Sequence, residues 1–339
     1  MVKLRDIALK TGLNVSTVSR ALRDSSDINA DTCKHVKQVA RQLGYRFRRE
    51  DRGRSKTIGI ILPEVSSHYY AELAHSLSTE IRKQGYNMFV ALSGFASEAV
   101  DEAFELLARQ EVCGILICYI ADTEAVRRDG WFSERLIKSE IPVVLLSEIN
   151  SAIPIDMIYV DSGGCMHLAV DHLVSLGHEK IGYIGEYTSD SRFRALVDYM
   201  ERKGLSLKPE FVKRGSERFE MGGYLRTKEL LKEKELPTAI IASYDQVAIG
   251  ALKALDEAGL RVPEDMSVIG VDNIVMDDYL AVKLTSITNP AGHMGIVAVK
   301  ILLDSITNKE DHVVQNVALQ SKLIIRDSTS VPVRKENYF

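Results

Sequence analysis

The residue pairs that could do acid, base or metal chemistry are few in this sequence and poorly spaced for it. His167 and His172 are five residues apart and do not share one face of a helix, so a metal pair is not expected. Asp277 and Asp278 are adjacent, and neighbouring side chains point apart on any regular element. The sequence contains no GxSxG, GxGxxG, P-loop or HExxH motif. We therefore expect neither an enzyme nor a metal or cofactor site.

Basic residues are concentrated at the start of the chain. Residues 1–57 contain 14 Lys and Arg against 6 Asp and Glu, whereas the whole chain of 339 residues has a net charge of −4. A small basic head on a large acidic body indicates that only the head meets a polyanion such as DNA. Charge alone leaves a second interpretation open, in which the head has a solvated basic face.

The remaining composition is typical of an ordinary globular protein. Hydrophobic residues make up 45% and charged residues 27% of the chain, and no apolar run is long enough for a membrane span. The first residues carry charges within their apolar pattern, unlike a signal peptide. Four cysteines without CxxC spacing indicate a reducing compartment rather than a disulfide framework or a zinc site. These features predict a cytoplasmic protein that is not bound to a membrane.

The head has the pattern of three short helices. Ile7 lies in a first helical stretch, after which Gly12 permits a sharp turn. Asn14 is a suitable N-cap for a second helix that places Leu22 on its apolar face, and a third apolar stripe follows Asn29. Two short helices around a glycine-containing turn form a helix-turn-helix, whose second helix enters the major groove of DNA.

Three stretches of the head carry a family pattern: LRDIA at 4–8, TGLNVSTVSRAL at 11–22 and DT to LGY at 31–45. They resemble the DNA-binding head of the lactose/galactose repressor (LacI/GalR) family. The resemblance implies that the second helix contacts operator DNA through five residues: Val15, Ser16, Thr17, Ser19 and Arg20. Arg20 can bond a guanine edge with two donors, Ser16 can donate or accept, and Val15 can contact a thymine methyl group. Thr17 and Ser19 fit phosphate contacts better, and the alternative for Arg20 is a solvated helix residue.

The charged linker at residues 46–57 departs from the family's pattern. The family has a hinge helix there, whose leucine wedges into the minor groove; this chain lacks that leucine and is about four residues shorter. The resemblance implies DNA contacts from Arg46, Phe47 and Arg48, and Phe47 is the one large apolar side chain that could act as a wedge.

From residue 58 onward, short apolar runs alternate with amphipathic helical stretches such as 71–84 and 247–258. Such alternation is typical of parallel, doubly wound α/β sheets with helices between the strands. Nine strands exceed what one such domain usually needs, so we expect two lobes and a ligand site beyond the carboxyl ends of the strands. The nine predicted strands are 58–62, 88–92, 114–118, 143–146, 157–161, 181–185, 239–242, 266–271 and 284–287.

Three segments of the chain after residue 57 resemble the effector domain of the same family: IGIILP at 58–63, LGHEKI at 176–181 and VPEDMSVIGVD at 262–272. The resemblance implies a fold like that of periplasmic sugar-binding proteins, with three crossovers between two lobes near residues 160, 288 and 320. The expected division is a helix-turn-helix head at 1–45, a basic hinge at 46–57 and an effector-binding and dimerisation domain at 58–339. Lobe one would contain about residues 58–160 and 289–320, and lobe two about residues 161–288 and 321–339.

The resemblance also implies where an effector binds. Arg192 matches an arginine that bonds ligand hydroxyls, and Asp272, at a strand end, matches an aspartate that accepts from the same ligand. Tyr69 and Tyr70 match a contact loop of the first lobe, and Asp122 follows another predicted strand. Structural interpretations stay open beside these: an ion pair for Arg192, a strand-end cap for Asp272 and core packing for the tyrosines.

Two further predicted effector contacts depart from the family's pattern. Tyr244 stands where the family often has asparagine before Asp245, and Arg218 stands where an aromatic residue usually stacks on the ligand. A guanidinium at that position would favour a ligand with a carboxylate or a phosphate. Alternatively, Arg218 turns to solvent and the neighbouring Phe219 supplies the aromatic ring.

These patterns together predict a repressor of carbohydrate-utilisation genes that binds double-stranded operator DNA and responds to a sugar or sugar derivative in its cleft. Residues 334–339 carry no leucine heptads, so a homodimer is expected rather than a tetramer. The alternative is a purine- or other metabolite-responsive regulator of the same family, in which the ligand can act as a corepressor. A transport-type sugar-binding protein would need a signal peptide and no basic head, and the sequence shows the reverse.

Overall fold

The computed structural model describes residues 2–23, 25, 27–45, 55–118, 136, 139–147 and 154–333. Four residues with predicted DNA or effector contacts lie outside this set: Arg46, Phe47, Arg48 and Asp122. Most of the predicted hinge, at residues 46–54, lies outside it too. None of the helices in the described ranges is both long enough and apolar enough to cross a bilayer.

Three helices form the head: α1 (Leu4–Thr11), α2 (Val15–Leu22) and α3 (Ala30–Gln42). Gly12 ends α1 with a φ of 70°, a left-handed conformation that glycine adopts without strain. Asn14 caps α2, because its side chain accepts the backbone N–H three residues further on at 2.7 Å. Ile7, Val18 and Val36, one from each helix, are fully buried together. The head is therefore the helix-turn-helix that the sequence predicts.

The rest of the described chain alternates strands with helices. In chain order, the strands are β1 (Thr57–Leu62), β2 (Asn87–Leu92), β3 (Gly114–Ile117), β4 (Val143–Leu145), β5 (Asp156–Val160), β6 (Ile181–Glu186), β7 (Val212–Gly215), β8 (Ala239–Ala242), β9 (Ser267–Asp272), β10 (Thr285–Thr288), β11 (Asn316–Leu319) and β12 (Leu323–Ile324). The α-helices of this part are α4 (His68–Lys83), α5 (Ser97–Arg109), α6 (Ser162–Ser175), α7 (Asp190–Arg202), α8 (Phe219–Leu230), α9 (Asp245–Glu257) and α10 (Ala291–Thr307).

The strands form two six-stranded sheets. Sheet one, in lobe one, has the order β11-β5-β4-β3-β1-β2, and sheet two, in lobe two, has the order β12-β10-β9-β8-β6-β7. Every neighbouring pair is parallel except β10 and β12. Helices α4 and α10 pack on one face of sheet one and α5 on the other. This architecture confirms the predicted fold class, a head plus a two-lobed body of doubly wound sheets.

The chain passes between the two sheets three times. It leaves sheet one between β5 and α6, returns between β10 and α10, and leaves again between β11 and β12. Residues at the carboxyl ends of strands in both sheets line one cleft, for example Cys118 after β3 and Asp272 at the end of β9. The fold therefore places the ligand-binding edges of both sheets around a common space.

All nine predicted strands are present, and each of their ends lies within one residue of the prediction. The prediction missed β7, β11 and β12, which lie at the outer edges of their sheets. An edge strand is covered on fewer sides, so it does not need a continuous apolar run. Accordingly β7 has the sequence VKRG, and β11 alternates exposed and half-buried residues.

Helices α8 and α9 approach each other closely at two glycines. A Cβ atom on Gly223 would lie 1.9 Å from the carbonyl oxygen of Val247, and one on Gly250 would lie 1.9 Å from that of Glu220. No side chain fits at either position, because the opposing atom belongs to the backbone. The contact holds the N-termini of the two helices side by side at the cleft.

Gly250→Ala is expected to lower the free energy of unfolding by about 2 kcal/mol or more, because the new methyl group forces the two helices apart. Asp256→Ala, at an exposed position of the same helix, should change it by less than about 0.5 kcal/mol. Urea titration followed by circular dichroism measures both variants. Equal unfolding midpoints would contradict the close helix contact.

Candidate functional site

One face of α2 presents the side chains predicted to read DNA bases. Val15 is 39% exposed, and Ser16 and Arg20 are exposed as well. Val18 and Leu22, on the opposite face, are fully buried in the head. The helix is therefore anchored by one face, and its other face has the shape and polarity to enter a DNA groove.

Two polar side chains of α2, Ser19 and Arg20, make polar contacts with other residues of the head. Arg20 Nη1 lies 2.5 Å from Asp27 Oδ2. Thr17 and Ser19 are half-buried, and Ser19 Oγ accepts a hydrogen bond from Arg23 Nη2 at 2.9 Å. Sequence reasoning did not select Arg23, although its place one helical turn after Ser19 puts a second cation beside that hydroxyl.

A cleft of about 680 Å³ lies between the two lobes. Six of the seven predicted effector contacts line it: Tyr69, Tyr70, Arg192, Arg218, Tyr244 and Asp272. The seventh, Asp122, lies outside the described residues. The fold thus brings side chains from distant parts of the chain to a single site.

Arg192 and Asp272 meet on the lobe-two side of the cleft, in the first turn of α7 and at the end of β9. Arg192 Nη2 lies 3.4 Å from Asp272 Oδ1, and Nη1 donates to the carbonyl oxygen of Ser243 at 2.6 Å. Asn289 Nδ2 donates to the same carboxylate oxygen at 2.9 Å. The pair presents a fixed donor group beside a fixed acceptor group.

The backbone at the end of β9 has a rare conformation. Asp272 has a φ of 112° and Asn273 a φ of 51°, values that residues other than glycine seldom adopt. Surrounding contacts fix this segment, and the N–H of Asn273 donates to Ser286 Oγ at 3.0 Å. Burial raises the pKa of Asp272, against the opposing charge of Arg192. Burial alone would lower the pKa of Arg192, but the Asp272 carboxylate together with Cys165, Tyr183 and Tyr69 outweighs burial and raises that pKa.

Aromatic side chains cover the lobe-one side of the cleft. Tyr69 and Tyr70 lie in the first turn of α4, edge to face, with ring centroids 5.0 Å apart. Tyr70 is only 5% exposed and belongs to the core of lobe one, whereas Tyr69 is half-buried. Phe95 and Tyr159 add rings that sequence reasoning missed, although both lie near the carboxyl ends of strands. Ring faces of this kind suit a flat or apolar surface of a ligand.

Arg218 does not turn to solvent, which contradicts one of the two expectations for it. Its guanidinium lies 4.4 Å from the ring centroid of Phe219 and 4.7 Å from that of Phe95. Nε donates to Glu186 Oε2 at 3.1 Å, and Nη2 lies 3.6 Å from Glu64 Oε1. The Phe219 ring packs against the core of lobe two, so Arg218 rather than Phe219 occupies this part of the cleft.

Glu186, at the carboxyl end of β6, connects several of these groups. Its side chain is 2% exposed and accepts hydrogen bonds from the N–H of Phe219 at 2.8 Å and the hydroxyl of Thr188 at 3.0 Å. The hydroxyl of Tyr244 donates to it as well. With Arg218, one buried carboxylate therefore receives four donors. Sequence reasoning missed Glu186, and its place directly after a predicted strand is the signal that could have found it.

Each guanidinium group in the described lining of the cleft has a carboxylate partner within the protein. The pairs are Arg192–Asp272, Arg194–Asp190, Arg214–Asp190 and Arg218–Glu186. A paired arginine gains less from a ligand anion than an unpaired one, because its charge is already neutralised. The pairing weighs against the expectation that Arg218 favours a ligand with a carboxylate or a phosphate.

A buried carboxyl pair, Asp245 and Asp277, lies beyond the end of β9. Asp245 Oδ2 accepts the N–H of Ile274 at 3.0 Å, and Asp277 belongs to a short 3-10 helix, Val275–Tyr279. Burial and the neighbouring Asp277 raise the pKa of Asp245 well above its usual value, and burial raises the pKa of Asp277 to about 6. The pair therefore retains a proton near neutral pH. Across the described residues, no cluster of His, Cys, Asp and Glu could hold a metal ion.

Two family models match the chain. Residues 3–46 match the model of bacterial regulatory proteins of the lacI family. Residues 170–329 match the model of a periplasmic binding protein-like domain. The two matches fall on the helix-turn-helix head and on the part of the body that contains most of lobe two.

Named relatives and a solved structure are similar over almost the whole chain. The HTH-type transcriptional repressor PurR of Haemophilus influenzae (strain PittEE) is 34% identical over 342 residues, which cover 97% of this chain and 98% of the relative. The HTH-type transcriptional repressor CytR of Escherichia coli (strain K12) is 28% identical and covers 96% of both chains. The crystal structure of the Lac repressor dimer bound to operator and the anti-inducer ONPF has a TM-score of 0.76 and 26% identity, and covers 97% of this chain and 99% of that chain.

The buried carboxyl pair predicts a pH dependence of stability. Because the pKa of Asp277 is raised in the folded protein to about 6, the stability that this group contributes is lost as the pH rises through that value. Asp277→Asn removes the titration, so the variant should gain about 1–2 kcal/mol relative to the native protein between about pH 5 and pH 7.5. Urea titrations across this range measure the difference.

Asp278→Asn is the matched control for this titration. The Asp278 side chain is 58% exposed, and its hydrogen bond from Arg326 lowers its pKa, so it stays ionised over the whole range. This variant should show no change with pH relative to the native protein. A pH-independent difference for Asp277→Asn would contradict the raised pKa of Asp277.

Proposed function

The chain belongs to the LacI family of bacterial regulatory proteins, and we propose that a small molecule bound in its cleft controls repression. The protein is a DNA-binding transcriptional repressor and not an enzyme. We place it in the cytoplasm, where a bacterial repressor meets its operator DNA.

The Arg192–Asp272 pair is the observation that carries the proposal, because it faces the aromatic rings of lobe one across the cleft. A guanidinium and a carboxylate fixed side by side can bond complementary acceptors and donors on one edge of a ligand. The ring of Tyr69 can then pack against the face of the same ligand. Contacts from both lobes let a ligand favour one relative position of the lobes over another.

The effector that we favour is a purine-type heterocycle. Such a molecule has ring-edge donors and acceptors together with a flat face, which are the two features that the cleft offers. The relatives are repressors named PurR and CytR, and the first of these names favours the purine-responsive alternative. The sugar effector that the sequence resemblance implies stays a prediction, since sugar hydroxyls could bond the same pair.

On the DNA side, we propose that α2 enters the major groove. Arg20 bonds a guanine edge, Ser16 bonds a neighbouring base and Val15 contacts a thymine methyl group. Thr17 and Ser19 contact phosphates and set the register. The exposed face of α2 and the basic composition of the head support this assignment. The hinge contacts from residues 46–48 stay a prediction outside the described residues.

We propose that the protein acts as a homodimer, as the Lac repressor does on its operator. Three large apolar side chains are exposed on the edge strand β2, namely Phe89, Val90 and Leu92, at 36%, 36% and 57%. Val275 and Tyr279, in the 3-10 helix after β9, are 78% and 79% exposed. Exposed apolar groups on an edge strand and on a short helix are better explained by a covering partner than by contact with water.

The division of the chain that we propose follows the two sheets. The head spans 1–45, the hinge 46–57 and the effector-binding domain 58–339, in which lobe two comprises about 161–288 and 321–339. The hinge leads into β1 of lobe one, whereas Arg192 and Asp272 belong to lobe two. A ligand that changes the position of lobe two relative to lobe one therefore changes how the two heads of a dimer are positioned relative to each other.

Arg20→Ala tests the DNA assignment. The loss of a two-donor contact to guanine should cost about 1–3 kcal/mol per half-site and relax the preference at one base pair. Arg41→Ala removes an exposed positive charge from α3 and should affect all DNA sequences alike. Binding to a set of single-base operator variants at fixed salt measures both. An unchanged base preference in Arg20→Ala would remove the assignment.

Arg192→Ala and Asp272→Asn test the cleft. Each leaves polar groups of a bound ligand without a partner, so each should weaken effector binding by about 10-fold or more. Arg202→Ala, at an exposed position of the same helix as Arg192, should leave it unchanged. Calorimetric titration with hypoxanthine, guanine, adenine and adenosine, against ribose and galactose, identifies the ligand class. Native affinity in both cleft variants would show that the effector binds elsewhere, and binding of sugars alone would restore the sugar effector.

A further inference from the structure

Arg218 lies between two carboxylates that belong to different lobes. Glu186 ends β6 in lobe two, and Glu64 lies between β1 and α4 in lobe one. Arg218 Nε is 3.1 Å from Glu186 Oε2, and Nη2 is 3.6 Å from Glu64 Oε1. One guanidinium group therefore bridges the two lobes through ion pairs, at a wall of the cleft where the effector is proposed to bind.

Both carboxylates are held in place by the backbone around them. Glu64 accepts the N–H of Ser67, the N-cap residue of α4, at 3.0 Å. Glu186 accepts the N–H of Phe219 at 2.8 Å. Their side chains are only 14% and 2% exposed, respectively. Arg218 therefore meets two fixed negative groups rather than mobile surface side chains.

Aromatic rings restrict the guanidinium further. Phe219 lies on one side, with its ring centroid 4.4 Å away, and Phe95 of lobe one contributes a second ring at 4.7 Å. A guanidinium that contacts ring faces and carboxylates together gains from both and loses little freedom when a ligand binds. The position and charge environment of Arg218 are thus set by the protein before a ligand enters.

We propose that Glu64 and Glu186 exclude anionic groups from the Arg218 side of the cleft and so select an effector that is uncharged on that side, an inference that rests on the proposed effector-binding function. Two carboxylates face one guanidinium, so this wall of the cleft has no positive charge left to offer. A phosphate or carboxylate brought to Arg218 meets two fixed negative groups at the same place, and this repulsion excludes it. An uncharged ligand meets no such repulsion and keeps the hydrogen-bonding groups of the cleft.

Glu64 is the carboxylate that lobe one contributes to Arg218. Without its charge, Arg218 keeps only its ion pair with Glu186, and the cleft gains one unit of positive charge on the side of Arg218. Replacement by glutamine keeps the size and an accepting oxygen while removing the charge. A single substitution should therefore make the cleft accept anions.

Inorganic phosphate is a probe that needs no knowledge of the effector. Thermal unfolding of the full chain is followed in increasing phosphate, against chloride at equal ionic strength. Glu64→Gln should be stabilised by phosphate with an apparent affinity at least about 10-fold tighter than that of the native protein. Glu72→Gln, an equal charge change at an exposed position of α4, should behave like the native protein. Glu186→Gln removes the second carboxylate and should repeat the gain, so either variant decides the inference.

A second test compares the binding of two matched ligand pairs: adenosine with adenosine monophosphate, and ribose with ribose 5-phosphate. The native protein should bind the uncharged member of a pair more tightly, and Glu64→Gln should narrow that preference by about 10-fold. Native binding of the phosphorylated member at equal affinity would overturn the inference. The inference would also be overturned if both glutamine variants kept the native preference between the ligands of a pair and the native response to phosphate. If no member of either pair binds, and the free purine bases do not bind either, the proposed effector class is wrong, while the phosphate titration still decides the charge selectivity.

Discussion

Neutralisation of buried positive charge is the constraint that shapes the cleft. An arginine removed from water without a partner costs several kcal/mol. Each of the mostly buried arginines in the described lining, Arg192, Arg214 and Arg218, accordingly meets a carboxylate. Asp272 forms an ion pair with Arg192, and Glu186 and Glu64 form ion pairs with Arg218. These carboxylates lie at the ends of strands or at the start of a helix, where backbone N–H groups are available to stabilise negative charge. The fold thus pairs these charges within the protein before any ligand arrives.

The parallel sheet of lobe two accounts for how these groups come together. Glu186 ends β6, Tyr244 follows β8 and Asp272 ends β9, and these three strands are neighbours in the order β9-β8-β6. Their carboxyl ends therefore stand side by side along one edge, although the residues are far apart in the chain. The close contact of α8 and α9 at Gly223 and Gly250 fixes where both helices begin. The geometry of the cleft wall consequently depends on residues that touch no ligand.

The features that the sequence predicted are those that leave a local pattern in the sequence, such as an apolar run, a family pattern or the end of a strand. Eight of the nine predicted strands are mostly buried apolar runs, and the ninth, β2, is an apolar run on an exposed edge. The edge strand β7, with the sequence VKRG, has solvent on one side and needs no such run. Arg192 and Asp272 were found through a family pattern and a strand end. Glu186 also follows a predicted strand, but no signal along the chain shows that it and Glu64 face Arg218 from different lobes. Whether Arg218 favours or disfavours an anionic ligand is likewise a property of its tertiary partners, which the residue type alone does not give.

The end of β9 connects the cleft to the protein surface over a few residues. Asp272 lines the cleft, and Ile274, two residues later, donates its N–H to the buried Asp245 at 3.0 Å. The 3-10 helix that follows buries Asp277 completely and leaves Tyr279 exposed. The left-handed backbone at Asp272 and the buried carboxyl pair leave this segment few alternative conformations. A ligand that moves Asp272 must therefore move the exposed side of the same segment, which is where we place part of the dimer contact. Coupling between effector and partner subunit then needs only this one short element, rather than a chain of small shifts across the lobe.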